Sequence, residues 1–140
     1  MQRRGWVIAF HWATFLMLLA MIKGGSAAPG LRWAFVVVVG IWCGLALIKG
    51  LAGKPSQKLQ GFMRAIYPWS HRAMYGLLGL AALLNFGALL SVAPMTWAWN
   101  ALLVLLVTAI FNAIFHLWRH TSLNDGALRM MTPKIWHKYL

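Results

Sequence analysis

Residues 73–118 read AMYGLLGLAALLNFGALLSVAPMTWAWNALLVLLVTAIFNAIFHLW, 46 positions between Arg72 and Arg119 without a Lys, Arg, Asp or Glu. A helix crossing the hydrocarbon core of a bilayer needs about 20 apolar residues. The stretch is therefore too long for one span and suits two, joined by a tight turn at 91–96, where Pro94 ends one helix and can begin the next. Working outward, residues 5–22 form an uncharged run between Arg4 and Lys23. Residues 33–48 form another, which extends to about Ala52 if Lys49 snorkels to the headgroups. The expected fold is all-α, an integral membrane four-helix bundle with spans at about 5–22, 33–52, 72–92 and 97–118 and a tail at 119–140. All five prolines are expected outside the spans, and residues 59–66 suggest a short amphipathic helix at the interface.

Composition agrees. The chain has 140 residues, 61% hydrophobic and 10% charged, and thirteen Lys or Arg face a single acid, Asp125. A soluble domain carries about 25% charged residues of both signs, and its hydrophobicity separates this chain from a disordered basic tail. A soluble nucleic-acid binder would not border its cations with long apolar runs. One carboxylate removes chemistry that needs paired Asp or Glu. One cysteine, Cys43, removes disulfide frameworks and thiolate zinc sites.

The cations predict an orientation. With four spans, one side collects Arg3, Arg4, Lys49, Lys54, Lys58, Arg64, Arg72, Arg119, Arg129, Lys134 and Lys138, and the other has only Lys23 and Arg32. That asymmetry puts both termini in the cytoplasm. Trp6, Trp69 and Trp118 mark the inner interface, and Trp33, Trp97 and Trp99 the outer one. The opening segment has a signal-peptide outline, Arg3-Arg4 before an apolar run and then Gly24 to Ala28. It is expected to stay on the chain as the first span.

Five histidines carry what chemistry is left: His11 and His116 inside spans, His71 and His120 at span ends, His137 in the tail. Intramembrane histidine is costly and marks a pathway, a cofactor or a ligand; the bland alternative is an imidazole bonded to a carbonyl across a helix interface. His11 lies seven residues inward of Arg4, roughly 10 Å at the helical rise, and His116 three inward of Arg119, roughly 4–5 Å. Side chains lean toward their own helix N-terminus, so on antiparallel helices these two imidazoles converge in depth. His71 leans toward the aqueous side and His120 starts a turn shallower, which suits headgroup-level or supporting roles, with either able to replace a favoured ligand. Zinc wants three or four ligands, whereas a haem needs only axial donors. His11 and His116 are thus the favoured axial pair, with Arg4, Arg64, Arg72 and Arg119 available for propionates. The chain lacks C-x-x-C-H, so covalent haem attachment is excluded.

Three places carry a resemblance. Arg4 precedes Phe10-His11-Trp12; His71-Arg-Ala-Met-Tyr75-Gly-Leu-Leu78 follows; and His120 precedes Asn124-Asp125-Gly126-Ala127-Leu128-Arg129-Met130-Met131. In this order the motifs resemble the bacterial cytochrome b561 family, four-helix membrane cytochromes b related to the cytochrome b subunits of nickel hydrogenases and formate dehydrogenases. The resemblance implies an inner haem b joining a helix 1 His, here His11, to a helix 4 His, best matched by His116. Aligned on the tail, that second position falls on Asn112, with His120 as the fallback. It also implies an outer haem held by a helix 2 His and an earlier helix 4 His, and neither exists here; Val36 stands near the first. The expectation is a shortened relative with one haem b rather than two, in the bacterial inner membrane. It would exchange electrons with a quinone or a partner redox protein, amid membrane lipid and other membrane or redox subunits and without nucleic acid. The alternative is a haem-free structural subunit of a larger membrane complex.

Other signals are weaker. Gly40 and Gly44 on helix 2, and Gly76 and Gly79 on helix 3, read as close helix packing before porphyrin clearance. The eight methionines read as packing, Cys43 as a small buried residue, Asn85 and Asn112 as bonds across helices, and the basic tail as a topogenic signal that meets anionic lipid.

Overall fold

A computed structural model describes residues 3–51 and 55–139, and over these the chain is helical. Four long helices, α1 (Arg3–Ile22), α2 (Pro29–Lys49), α3 (Gly61–Leu89) and α4 (Met95–Ser122), are each long and apolar enough to cross a membrane. A short α5 (Ala127–Met131) and two 3-10 turns, Gly25–Ala27 and Lys134–Tyr139, complete the described elements. Ala52 and Lys54, named above, lie outside the described residues, as does the end of the tail at 140.

The helices alternate in direction. Arg3 Nη2 at the start of α1 donates to the carbonyls of Lys49 (2.9 Å) and Gly50 (2.7 Å) at the end of α2. A cation thus meets the negative end of the α2 macrodipole. At the other end of the bundle, Arg32 near the start of α2 donates from Nε to Asn85 Oδ1 and from Nη2 to Asn85 O, both at 3.3 Å, close to the end of α3. Arg32 is therefore not an exposed cation; it is 7% exposed and clamps two helices. Asn85 bonds across helices as expected, and its Nδ2 also donates to Ala81 O at 2.8 Å.

The bundle has two unlike halves. The half near the 91–94 turn is closely packed around Leu18, Met21, Phe35, Val39, Ala81 and Leu102. Small residues at Ala81, Ala82, Ala98 and Ala101 bring α3 and α4 together. The half near the chain termini holds every histidine, most of the cations and the larger cavities. Large apolar side chains such as Leu16, Val37, Leu83, Val104 and Phe111 point outward along the helices. Water would penalise that display, whereas hydrocarbon would not.

The largest departure from expectation is α3. It begins at Gly61, eleven residues before the span at 72, and runs unbroken through Pro68. The segment 59–66 is consequently not a separate interfacial helix but mostly the first turns of α3. Proline inside a helix removes one N–H and crowds the carbonyl four residues back, here that of Arg64, an exposed residue whose carbonyl can be solvated. Tertiary packing offsets the cost: Tyr67, 2% exposed, lies 5.1 Å from the Arg119 guanidinium and 6.4 Å from the Phe115 ring. The remaining helices also exceed their spans by a few residues, α2 starting on Pro29 at its first position.

The end of α4 is fixed by the one acid. Arg119 Nη2 and Nε lie 2.6 and 2.7 Å from Asp125 Oδ2, both side chains being 1% exposed. Asp125 Oδ1 also accepts from Ala127 N at 2.9 Å, and Gly126 takes a left-handed φ of 69°, a conformation glycine adopts without strain. The chain thereby reverses and returns toward α1. Asp125→Ala is expected to destabilise the protein by about 3–5 kcal/mol, because it strands a buried cation; thermal unfolding in detergent measures it. The glycines divide: a Cβ on Gly87 would stand 2.9 Å from Ala93 Cβ in the turn, while one on Gly76 meets nothing within 4 Å. Gly87→Leu should lower the unfolding midpoint by the equivalent of about 1–3 kcal/mol, and Gly76→Ala should leave it unchanged or slightly raised.

Candidate functional site

The terminal half of the bundle contains a cavity of about 600 Å3 lined by Tyr67, His71 and His116, with Arg3, Arg4 and Arg129 among its other walls. Its volume lies within the range of small-molecule and cofactor sites. Two histidines meet there. The His71 and His116 ring centroids are 6.3 Å apart, with the ring planes 87° to one another. For comparison, two imidazoles ligating one metal ion from opposite sides, each nitrogen about 2 Å from the metal, would place their centroids roughly 6 Å apart.

Each ring is prepared differently. His71 Nδ1 lies 3.1 Å from Tyr67 O, and its ring packs 4.3 Å from the Tyr67 ring. A bond from Nδ1–H to a backbone carbonyl holds the imidazole in the tautomer whose Nε2 is a free donor of electrons, the arrangement ligating histidines use. Ser70 Oγ donates to the same Tyr67 carbonyl at 2.8 Å. His116 is 4% exposed, and neither ring nitrogen has a partner. A buried imidazole always carries at least one N–H or lone pair needing satisfaction, so a partnerless one is a gap in the polar accounting. Arg119 Nη1 and His120 Nδ1, one turn further along α4, are buried and unpartnered as well.

Of the other histidines, His137 also lines this cavity and His11 does not. His11 is half-buried with its ring edge-on to Trp12 (6.0 Å) and Trp42 (6.3 Å). It lines a smaller cavity of about 80 Å3 with Thr14, Tyr75 and Leu105. His137 Nε2 lies 3.2 Å from Thr132 O and 3.3 Å from Arg4 Nη2. The ring that meets His116 is therefore that of His71, not that of His11. The reason is the early start of α3: His71 is ten residues into the helix, roughly 15 Å along its axis, and not at its aqueous end.

The arginines also divide. Arg4 lines the cavity while its Nη2 donates to Arg129 O at 2.6 Å. Arg119 gives two nitrogens to Asp125. Arg72 is exposed, 4.9 Å over the Trp69 ring, and lines a different groove. Arg64 donates to Ser56 O at 3.1 Å. Arg3 and Arg129 were not singled out by the sequence, although Arg129 lies in the quoted tail motif; seeing its role required knowing that the chain reverses at Gly126.

The second groove, about 820 Å3, runs between α2 and α3 past Cys43, His71, Tyr75, Gly76 and Gly79. The expectation that the glycines pack against a neighbouring helix does not hold within this chain. A Cβ built on Gly40, Gly44 or Gly76 meets nothing within 4 Å, and one on Gly79 only Cys43 Sγ at 4.0 Å.

The donor set fits a group needing two axial nitrogens better than a bare ion needing three or four. Among the described residues, no group of three or more His, Cys, Asp or Glu is placed to hold a metal ion. A haem supplies four nitrogens itself, and the partnerless His116, the neighbouring His71 and Arg3, Arg4 and Arg129 on the same cavity are the residues that would hold its iron and propionates. None of the protein-family models, curated proteins or solved structures compared with the chain matches it.

Proposed function

We propose that this chain is a membrane-embedded b-type cytochrome that binds one haem b by two histidines and passes electrons at the end of the bundle carrying its termini. The observation that carries the reading is the partnerless, buried His116 facing His71 across the cavity. His71 and His116 are the axial pair the geometry favours; His11, still only about one helix away, is the alternative partner for His116. Bound there, haem would supply a one-electron couple. The protein's part is to hold the imidazoles, exclude water with an apolar surround, and neutralise the propionates with Arg3, Arg4 and Arg129. The cationic end is read as cytoplasmic by the charge asymmetry, and the resemblance implies a bacterial inner membrane. A quinone or a redox subunit is the electron partner. The expectation of a single haem is supported by the close-packed far half, which carries no histidine.

A second reading, a haem-free structural subunit, is favoured by one observation. The open glycines of α2 and α3 look like packing positions whose partner helix belongs to another chain.

A reduced-minus-oxidised spectrum of the purified protein separates the two, with a b-type band and one haem per chain expected. His116→Ala and His71→Ala should abolish the band, and His11→Ala should leave it. If His11→Ala removes it and His71→Ala does not, the helix 1 pairing is correct. Absence of haem from protein purified in haem-replete cells leaves the structural-subunit reading.

A further inference from the structure

The tail does not trail from the bundle. Asp125 and Gly126 turn it back, Ala127 is fully buried, and contacts from Trp12 and Arg4 fasten it to α1. Trp12 Nε1 donates to Met131 O at 2.9 Å, the Trp12 and Trp136 rings meet edge-on at 5.6 Å, and Arg4 Nη2 donates to Arg129 O at 2.6 Å. The tail is also a wall: Arg129, Met130, Met131 and His137 line the cavity that holds His71 and His116. A merely topogenic or lipid-bound basic tail needs neither the indole bond nor the cavity lining.

We infer that residues 127–139 form a hinged cover over the histidine cavity, latched to α1 by Trp12 and Arg4, and that closure brings Arg129 to the anionic edge of the group bound inside. The hinge is the Asp125-Gly126 turn, anchored by Arg119. The latch lies on the helix facing the cover: Trp12 holds it near Met131 and Arg4 holds it near Arg129, one on each side of Met130. Both latch bonds end on backbone carbonyls, so they fix the path of the tail without consuming its side chains. The Arg129 guanidinium stays free for a carboxylate, beside Arg3 and Arg4 on the same cavity. Apart from Asp125, which Arg119 neutralises, the sequence has no acidic side chain to offer these cations, and the proposal gives them the carboxylates of the ligand. The Arg129 part rests on the haem reading; the latch does not.

Two measurements on the full chain in lipid nanodiscs test this. Trypsin cleavage after Arg129 and Lys134 reports whether the cover is docked. Wild type should resist, Trp12→Ala should be cut rapidly, and Trp12→Phe, which keeps the ring and loses the donor, should fall between. Equal resistance in Trp12→Ala would overturn the latch. Transfer of haem to excess apomyoglobin reports what the cover does. Trp12→Ala should lose haem faster than wild type. Arg129→Gln, whose backbone carbonyl still receives Arg4, should keep its trypsin resistance at Lys134, the site it retains, yet lose haem about tenfold faster, the equivalent of one charge-assisted bond. A wild-type rate in Arg129→Gln overturns the anion role, and a wild-type rate in a trypsin-sensitive Trp12→Ala overturns the cover. Protein without haem removes the Arg129 part alone, while the trypsin comparison still decides the latch.

Discussion

A single buried ion pair organises the end of the bundle where the chemistry is gathered. Taking two charges out of water costs several kcal/mol per ion, and only short, well-satisfied contacts repay it. The pair of Arg119 and Asp125 has them, and Asp125 additionally receives the Ala127 amide. Around that pair three elements meet. The guanidinium lies under Tyr67 of α3, its own helix presents His116 one turn away, and the carboxylate sets the direction in which the chain leaves α4. Removing the acid would disturb all three together. The scarcity of carboxylates therefore does not mean that carboxylates are unimportant; the only one is spent on architecture.

The two halves of the bundle solve different problems. In the far half, small residues bring α3 against α4, and Asn85 satisfies the buried Arg32 next to the end of α3, where unpaired carbonyls and the helix dipole favour a cation. Arg32 and Asn85 satisfy one another there. In the terminal half the accounting stays open: His116 has none, nor has Arg119 Nη1, and wide spaces separate the helices. Proteins close such gaps unless something else fills them, and the gaps coincide with the only histidines the helices carry.

The four helices could be read from the charge-free runs because hydrocarbon tolerates little else. Their ends could not. Residues 61–71 contain Arg64, Pro68 and His71, a composition that reads as connection, and only the packing of Tyr67 on Arg119 and Phe115 explains why helix prevails. That boundary shaped the reading of the site: with α3 begun at 72, His71 sits at a helix end, and the better match for His116 is His11. His116 itself was legible, since an imidazole within a span stands out on any reading. Arg129 was not, because its place depends on a left-handed glycine and on an indole bond between Trp12 and Met131, 119 residues apart in sequence. The glycines misled in the other direction; their spacing suggests packing, yet among the described residues no helix closes on Gly40, Gly44 or Gly76.

The close-packed far half has an electrical consequence. It carries no histidine across the distal part of α1 to α4, so under the proposed reading electrons would enter and leave by the same end. Such traffic moves no charge across the bilayer and does no work against the membrane potential. Turnover would then be indifferent to that potential, and the chain would act as a local shuttle at one face, leaving energy conservation to whatever larger machinery shares the membrane.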